Sequence, residues 1–413
     1  MNELKILKNK KILFVASYPP PYGGVSSFVF DISTIFDDLL SKLIILTFDK
    51  KNERTNKSKN ITLIKVRNRI NLEIIKYLIF NLNKSILLIF LWLRYFMKDP
   101  KFYSASLMNA LHISNVANDN NIDTIIIFTT PAGSSIPFLK ILQKSLKIYY
   151  CTFADPYKNP DFYKDHKDWF KKAIFNTTKT FSSSKYCANA LKIFDSKINP
   201  EILYFGVDTN KFCRNISQIE AKNEVDLKTN SSIVLFVGRM EIEMGAENVL
   251  KIAKLVCSTI KNIKFVMVGS KGSLSNIVYE NSSQNPEYLI YRENVSNNDL
   301  PKYYAAADIV IAPTLGSHAC MGVSVKEAMA SGKPTIVSNS GGLSEAIRHD
   351  IDGIVVPLND DGSLNNELFS REIIKLDSSC EKKLLFGNSA IIRANNLFSI
   401  KKSAEKLINI ITI

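Results

Sequence analysis

Short runs of β-branched and apolar residues alternate with helical patterns along the whole chain, and that alternation admits few folds. Parallel strands need a crossover between them, usually a helix, so strand–helix–strand repetition implies a parallel α/β sheet. The runs predict strands at residues 11–16, 43–48, 62–66, 124–128, 148–152 and 180–182. GVDTN at 206–210 reads as a turn, and the Asn-, Lys- and Ser-rich stretch 215–232 as a linker. The pattern then restarts, with strands at 232–237, 264–269, 289–291, 308–312, 335–338 and 353–356 and a helix at 247–259. This predicts an α/β chain of two doubly wound, Rossmann-like domains facing a cleft, at residues 1–205 and 206–398. The amphipathic end, 399–413, is expected to be a helix returning to the first domain.

The 413 residues carry 53 Lys and Arg against 39 Asp and Glu, and the imbalance is local. Residues 1–205 hold 30 basic and 16 acidic side chains, whereas 206–413 hold 23 of each. Within 42–101, 14 basic and 4 acidic residues surround the apolar stretch 72–97. Lys76, Asn81, Asn83 and Lys84 interrupt that stretch too soon for a spanning helix of about 20 apolar residues. It reads either as a buried or amphipathic helix or as a segment lying on a membrane, flanked by Lys84, Arg94, Lys98 and Lys101. Basic charge beside apolar surface suits anionic lipid better than nucleic acid, and no nucleic-acid-binding signature accompanies it. The apolar run 12–16 is shorter than a signal-peptide core of roughly 7–15 residues. Six scattered cysteines without a Cys-x-x-Cys pair are expected as buried thiols in a reducing compartment, with no zinc site.

Three places have the residues for anion chemistry. Tyr22-Gly23-Gly24-Val25 lies between the first strand and the helix from Ser26, where two glycines serve either close approach of a ligand or simple chain reversal. Gly238-Arg239 ends a strand, and its Arg reads either as a phosphate fork or as an ordinary surface side chain. The densest segment is 313–345. There a strand ends in a polar loop, and a helix begins near Gly322, carries Glu327 and stops at Gly332 before Pro334. Backbone N–H groups at Gly322, Val323 and Ser324 suit a phosphate, and Glu327 suits a ribose diol. No GxGxxG fingerprint occurs, which argues against a dinucleotide-dependent dehydrogenase.

The chain resembles the retaining glycosyltransferases of family 4, which have the GT-B fold and use nucleotide-diphosphate sugars. The likeness runs nearly end to end, through ILFVASYPPPYGGVSSF, YFGVDTNKF, LFVGRMEIEMGAENVLKIA, FVMVGSKGSL, LPKYYAAADIVIAPT and FSIKKSAEKLINII. Its most specific block is VKEAMASGKPTIVSNSGGLSEAI. The resemblance implies that Glu327 binds the nucleotide ribose and Arg239 the diphosphate, with Gly238 beside it. It also implies that the backbone of Gly322, Val323 and Ser324 faces the phosphates, that Gly23 and Gly24 approach donor and acceptor, and that residues 291–294 lie near the base. Three positions depart from the family pattern: Ala319 in place of a glutamate, Met244 in place of a lysine and Ala154 in place of a histidine. An active enzyme would then draw on His318, Asp155 or Lys271; His318 is taken as a catalytic candidate beside Arg239 and Glu327.

Weaker signals read as structural. Asp350-Ile-Asp352 has the spacing of a metal-binding pair but sits in a turn sequence, and no metal or other cofactor is expected. His112 and His166 lack a nucleophile partner, and 155–172 reads as a solvated loop and helix face that could also line an acceptor path. The function expected is transfer of a sugar, with retention, from a nucleotide diphosphate donor to a lipid-linked glycan acceptor in surface polysaccharide or lipopolysaccharide synthesis. The protein is expected in the cytoplasm, peripheral on an anionic membrane's inner face. The alternative is a catalytically degenerate GT-B-like protein that scaffolds or regulates a partner transferase.

Overall fold

The computed structural model describes residues 7–19, 23–48, 50, 52–67, 79, 82–213, 215–317 and 319–412. The chain divides into two compact units. One is Met1–Ser183 with Cys187–Leu203 and Ala404–Ile413, and the other is Tyr204–Ser403 with Ser184–Tyr186.

Unit 1 is built on an eight-stranded sheet of order β3-β4-β2-β1-β5-β6-β7-β8. Its strands are β1 (Lys11–Val15), β2 (Lys42–Phe48), β3 (Glu53–Asn56), β4 (Ile61–Val66), β5 (Thr124–Ile127), β6 (Lys147–Thr152), β7 (Lys179–Ser182) and β8 (Glu201–Ile202). All pairs are parallel except β3 with β4. The central strands are unbroken apolar runs because helices cover both faces. Among these helices are α1 (Gly24–Asp37), α2 (Leu82–Phe96), α3 (Pro100–Asp119) and α4 (Ile136–Leu142). α2 turns Ser85, Leu88 and Leu91 inward against α3 and α4. Of the apolar stretch 72–97, residues 72–78, 80 and 81 lie outside the described residues. The last helix, Ile400–Thr412, contributes Ala404 onward to this unit, where Lys406 lies 3.0 Å from Glu201 and the Tyr149 hydroxyl donates to the Ile411 carbonyl at 3.4 Å.

The segment 155–172 is more than a solvated loop. It forms three short helices, Asp155–Lys158, Pro160–Asp165 and Lys167–Phe175, that bury Tyr163, Trp169 and Phe170. Its aromatic spacing carries the packing: the Trp169 indole donates to the Ser134 carbonyl at 2.8 Å. His166 is buried among Phe102, Phe162 and Tyr103, a packing role.

Unit 2 holds a six-stranded, all-parallel sheet of order β11-β10-β9-β12-β13-β14. The strands are β9 (Ser232–Val237), β10 (Ile263–Gly269), β11 (Leu289–Glu293), β12 (Ile309–Ala312), β13 (Thr335–Ser338) and β14 (Gly353–Val356). The polar stretch 215–232 is no free linker: it folds as helix α5 (Gln218–Glu224), with a Ser217–Glu220 capping box, and buries Ala221, Val225 and Leu227. α6 (Ala246–Thr259) packs through Val249, Ile252, Ala253 and Val256, one face at helical spacing. α7 (Leu300–Ala306), α8 (Val323–Ala330) and α9 (Cys380–Leu397) follow. Cys151 and Cys187 are buried as expected of packed thiols, but Cys213 and Cys380 stand at helix ends and are exposed.

Ionic pins hold this unit at two places away from the loops at the strands' carboxyl ends. Asp352 is fully buried just before β14; Arg348 grips it through two nitrogens, each at 2.6 Å, and Ser389 of α9 donates to it at 2.7 Å. Its turn position thus serves a salt bridge. At the amino ends of the strands, Lys222 pairs with Asp308 at 3.1 Å, and Lys333 donates to the Ala305 carbonyl at 2.9 Å. Burial, with Lys222 adding to it against the pull of Asp308, brings the Lys333 ammonium down to about 8. The unfolded chain therefore holds this proton more tightly, so stability rises as pH climbs from about 8 toward the ordinary lysine value. Comparing the pH dependence of unfolding for the parent and Lys333→Met should show a steeper rise in the parent, by up to roughly 3 kcal/mol.

Candidate functional site

In unit 2 the chain lays β9 down first, adds β10 and β11 on one side, and then crosses to build β12, β13 and β14 on the other. The boundary between β9 and β12 is a topological switch point, where doubly wound sheets receive ligands at the strands' carboxyl ends. Four loops meet there. After β9, Gly238 donates to the Val268 carbonyl at 3.0 Å and Met240 to the Ser270 carbonyl at 3.2 Å. The loop after β10 answers with Leu274, donating to the Met240 carbonyl at 2.9 Å. This contact requires Gly269, since a Cβ there would lie 1.7 Å from the Gly238 oxygen. From the β12 loop, Leu315 donates to the Glu243 carbonyl at 2.9 Å; from the β13 loop, Gly342 donates to the Ala319 carbonyl at 2.8 Å. Ser338 and Ser340 bind the carbonyls of Thr314 and Gly316, closing the set at 2.5 Å each.

Arg239 projects from this rim into solvent. Glu241, two residues on, accepts from the Ser273 hydroxyl at 2.5 Å. Hydrogen bonds from Ser273 keep the Glu241 carboxyl below the usual range, with a smaller share from the Arg239 charge. Lys271 stands on the neighbouring loop, 3.5 Å from Glu293. Of residues 291–294, Asn294 ties back to the end of β10, donating to the Gly269 carbonyl at 2.8 Å. The switch point thus brings Gly238, Arg239 and Lys271 onto one edge of the unit.

On the β12 side of the switch point, Gly322 takes a left-handed φ of 67° and starts α8, and as the N-cap residue it gives the helix no side-chain hydrogen bond. Uncapped amides at Val323 and Ser324 and the helix dipole both favour an anion. Glu327 follows on the second turn and is buried, and the Tyr304 hydroxyl donates to its Oε2 at 2.7 Å. Burial, and then the Glu327 charge, push the Tyr304 phenol well above its ordinary range, so it stays a donor. Tyr304 was absent from the sequence candidates; it lies on α7, and no spacing rule connects it with Glu327. His318 lies outside the described residues. Met244 packs against the core and Ala319 is buried, so neither departure places a polar group at the rim.

In unit 1, Gly23 and Gly24 open α1 at the carboxyl end of β1, which is the switch strand of that sheet. Gly23 is extended, at φ −163°, and among the described residues a Cβ there would meet nothing closer than the Ser26 hydroxyl at 3.7 Å. Chain reversal therefore does not demand this glycine. Tyr22 lies outside the described residues. Ala154 is buried, and next to it the Asp155 carboxylate accepts from Thr130 and lies 4.0 Å from Lys158. Thr130, Asp155 and Tyr150 edge a shallow hollow lined also by the rings of Tyr163, Phe170 and Phe194. Burial, followed by the Tyr163 and Asp155 charges, drives the Tyr150 phenol upward.

Residues 217–382 match the family model for glycosyl transferases group 1. The UDP-Gal:alpha-D-GlcNAc-diphosphoundecaprenol alpha-1,3-galactosyltransferase of Escherichia coli is 26% identical over 223 residues, which are 51% of this chain and 55% of that protein. An uncharacterized glycosyltransferase of Methanocaldococcus jannaschii is 29% identical over 168 residues, 39% of this chain and 42% of that protein. The chain thus spans about half the length of the curated relatives it matches. Sucrose-phosphate synthase of Thermosynechococcus elongatus superposes with a TM-score of 0.75 at 15% identity over 98% of both chains. Anabaena HepE, solved with UDP and glucose, gives 0.72 at 15% identity over 98% of this chain and 100% of that one. These likenesses extend over both units and bear on fold alone. The chain has the GT-B fold, and the match to the glycosyl transferases group 1 model falls within its second unit.

Proposed function

We propose that this protein transfers a sugar from a nucleotide diphosphate donor to a hydroxyl of a lipid-linked glycan held at a membrane, with retention at the anomeric carbon. The observation that carries the reading is the unit 2 rim, where an exposed Arg239 and an uncapped α8 N-terminus share a switch point with the buried Tyr304–Glu327 pair. The bond from the anomeric carbon to the diphosphate breaks, the acceptor oxygen bonds to that carbon, and the hydroxyl proton leaves with the diphosphate. Arg239 and the amides of Val323 and Ser324 stabilise the departing charge, so the reaction needs no metal. Glu327, steadied by Tyr304, accepts from the ribose hydroxyls. Relatives whose names include a diphosphoundecaprenol galactosyltransferase and a lipopolysaccharide N-acetylglucosaminetransferase support such an acceptor in surface polysaccharide synthesis. The basic, apolar surface of unit 1 supports work at the inner, cytoplasmic face of a membrane.

Thermal-shift titration with nucleotide diphosphates, followed by transfer assays on lipid-linked acceptors with and without chelator, tests this. Glu327→Gln should weaken donor binding roughly 10–100-fold, the worth of a charge-assisted hydrogen bond. Absence of any nucleotide-dependent shift would instead favour a scaffold or regulator of a partner transferase. Two observations suit that second reading: the side chain of Met244 packs into the core, and that of Ala319 is buried.

A further inference from the structure

Helix α2 breaks the rule that the solvent side of a surface helix is polar. Its inner face is Ser85, Leu88 and Leu91. Half a turn away, Leu82, Ile86, Phe90 and Leu93, with Met97 just after the helix, form one stripe whose members are 55–86% exposed. Leu87 and Ile89 widen it on either side. Single exposed leucines are ordinary, but a continuous apolar stripe marks an interaction surface. The helix contains no acidic residue. Arg94, Lys98 and Lys101 are exposed at its carboxyl end, and Asp99 between them is occupied in capping α3, where it accepts from Phe102 at 3.0 Å.

Charge decides the occupant. A second copy meeting this face symmetrically would bring the same three cations toward their own kind. A bilayer interface offers both complements, acyl chains for the stripe and anionic headgroups for the cations. Fifteen residues give a helix of about 22 Å, suited to lying in the interface. Among the described residues no helix is long and apolar enough to cross a membrane.

We infer that α2 docks the protein on an anionic phospholipid bilayer, its outer stripe sunk at the acyl boundary and Arg94, Lys98 and Lys101 on headgroup phosphates. This deepens the proposed function and rests on its membrane-held acceptor for purpose, not for the docking itself. The test is sedimentation of the full chain with phosphatidylglycerol–phosphatidylcholine vesicles and with phosphatidylcholine vesicles alone. The parent should bind the mixed vesicles. The Phe90→Ser, Leu93→Ser pair should weaken that binding roughly tenfold or more, with melting temperature and nucleotide binding unchanged. Changing Arg94, Lys98 and Lys101 together to Gln should erase the preference for phosphatidylglycerol. Equal partition of parent and stripe variant overturns the inference, as does a stripe variant altered only in oligomeric state or a parent that binds neither vesicle. Stripe-dependent vesicle binding by a protein that takes no nucleotide diphosphate would leave the docking helix standing and remove the transferase reading.

Discussion

Arg239→Ala is expected to slow transfer roughly 10²–10³-fold, the usual cost of removing one group that stabilises charge on the departing atoms. The loss should fall mainly on kcat, because the diphosphate carries more charge as the bond breaks than in the bound donor. Arg239→Lys should recover part of the rate, since a lysine supplies the charge without the planar fork. Melting temperature should hardly move, because the side chain is exposed and the rim is held by backbone hydrogen bonds. Steady-state kinetics on the three proteins, with thermal melts alongside, check all of this. An Arg239→Ala enzyme with unchanged kcat would remove Arg239 from the reaction.

Asp352→Ala should give the largest stability loss in unit 2, about 2–4 kcal/mol. The variant removes the counter-charge 3.6 Å from the partly buried Arg393, which keeps its bonds to the Ala346 and Glu345 carbonyls, and frees Ser389, while the half-exposed Arg348 can turn to water and limits the damage. For a unit of this size that is a fall of roughly 5–15 °C in melting temperature. The interaction also has an acid limit. Burial raises the Asp352 pKa, but hydrogen bonds from Arg348 and Ser389 outweigh it and hold the group below the usual carboxylate range. Its contribution is therefore present near neutrality and is lost only as pH falls through that lowered value. Parent and variant melts should converge in strong acid; melts that stay equally far apart there would show that Asp352 acts by packing.

The parallel strands were legible because strands buried on both faces must be apolar runs, as SIVLFV in β9 and IKFVMVG in β10 show. β3, ERTN, is an antiparallel edge strand with exposed polar residues, and β8 is only two residues long, so neither left a pattern. At the site, sequence marked Arg239, Gly322 and Glu327 because loop glycines and a helix start are local signals. It had no means of pairing Glu327 with Tyr304, nor of foreseeing that the 238–241 and 269–274 loops bind each other through main-chain atoms. The apolar stretch around 86–93 misleads in another way. Hydrophobicity alone says that such a helix seeks cover, and only the fold reveals that the side chains on nearly half of its circumference are exposed.

The knitting of the unit 2 rim has an evolutionary consequence. Apart from its glycines and serines, its connections pass between amides and carbonyls, which every residue possesses. Side chains at positions such as 271 and 317 are thus free to be exchanged without disturbing the loops that bear them. If the rim binds the proposed donor, a lineage built on this frame can retune which donor it selects by small substitutions, while the loops stay where the strands put them.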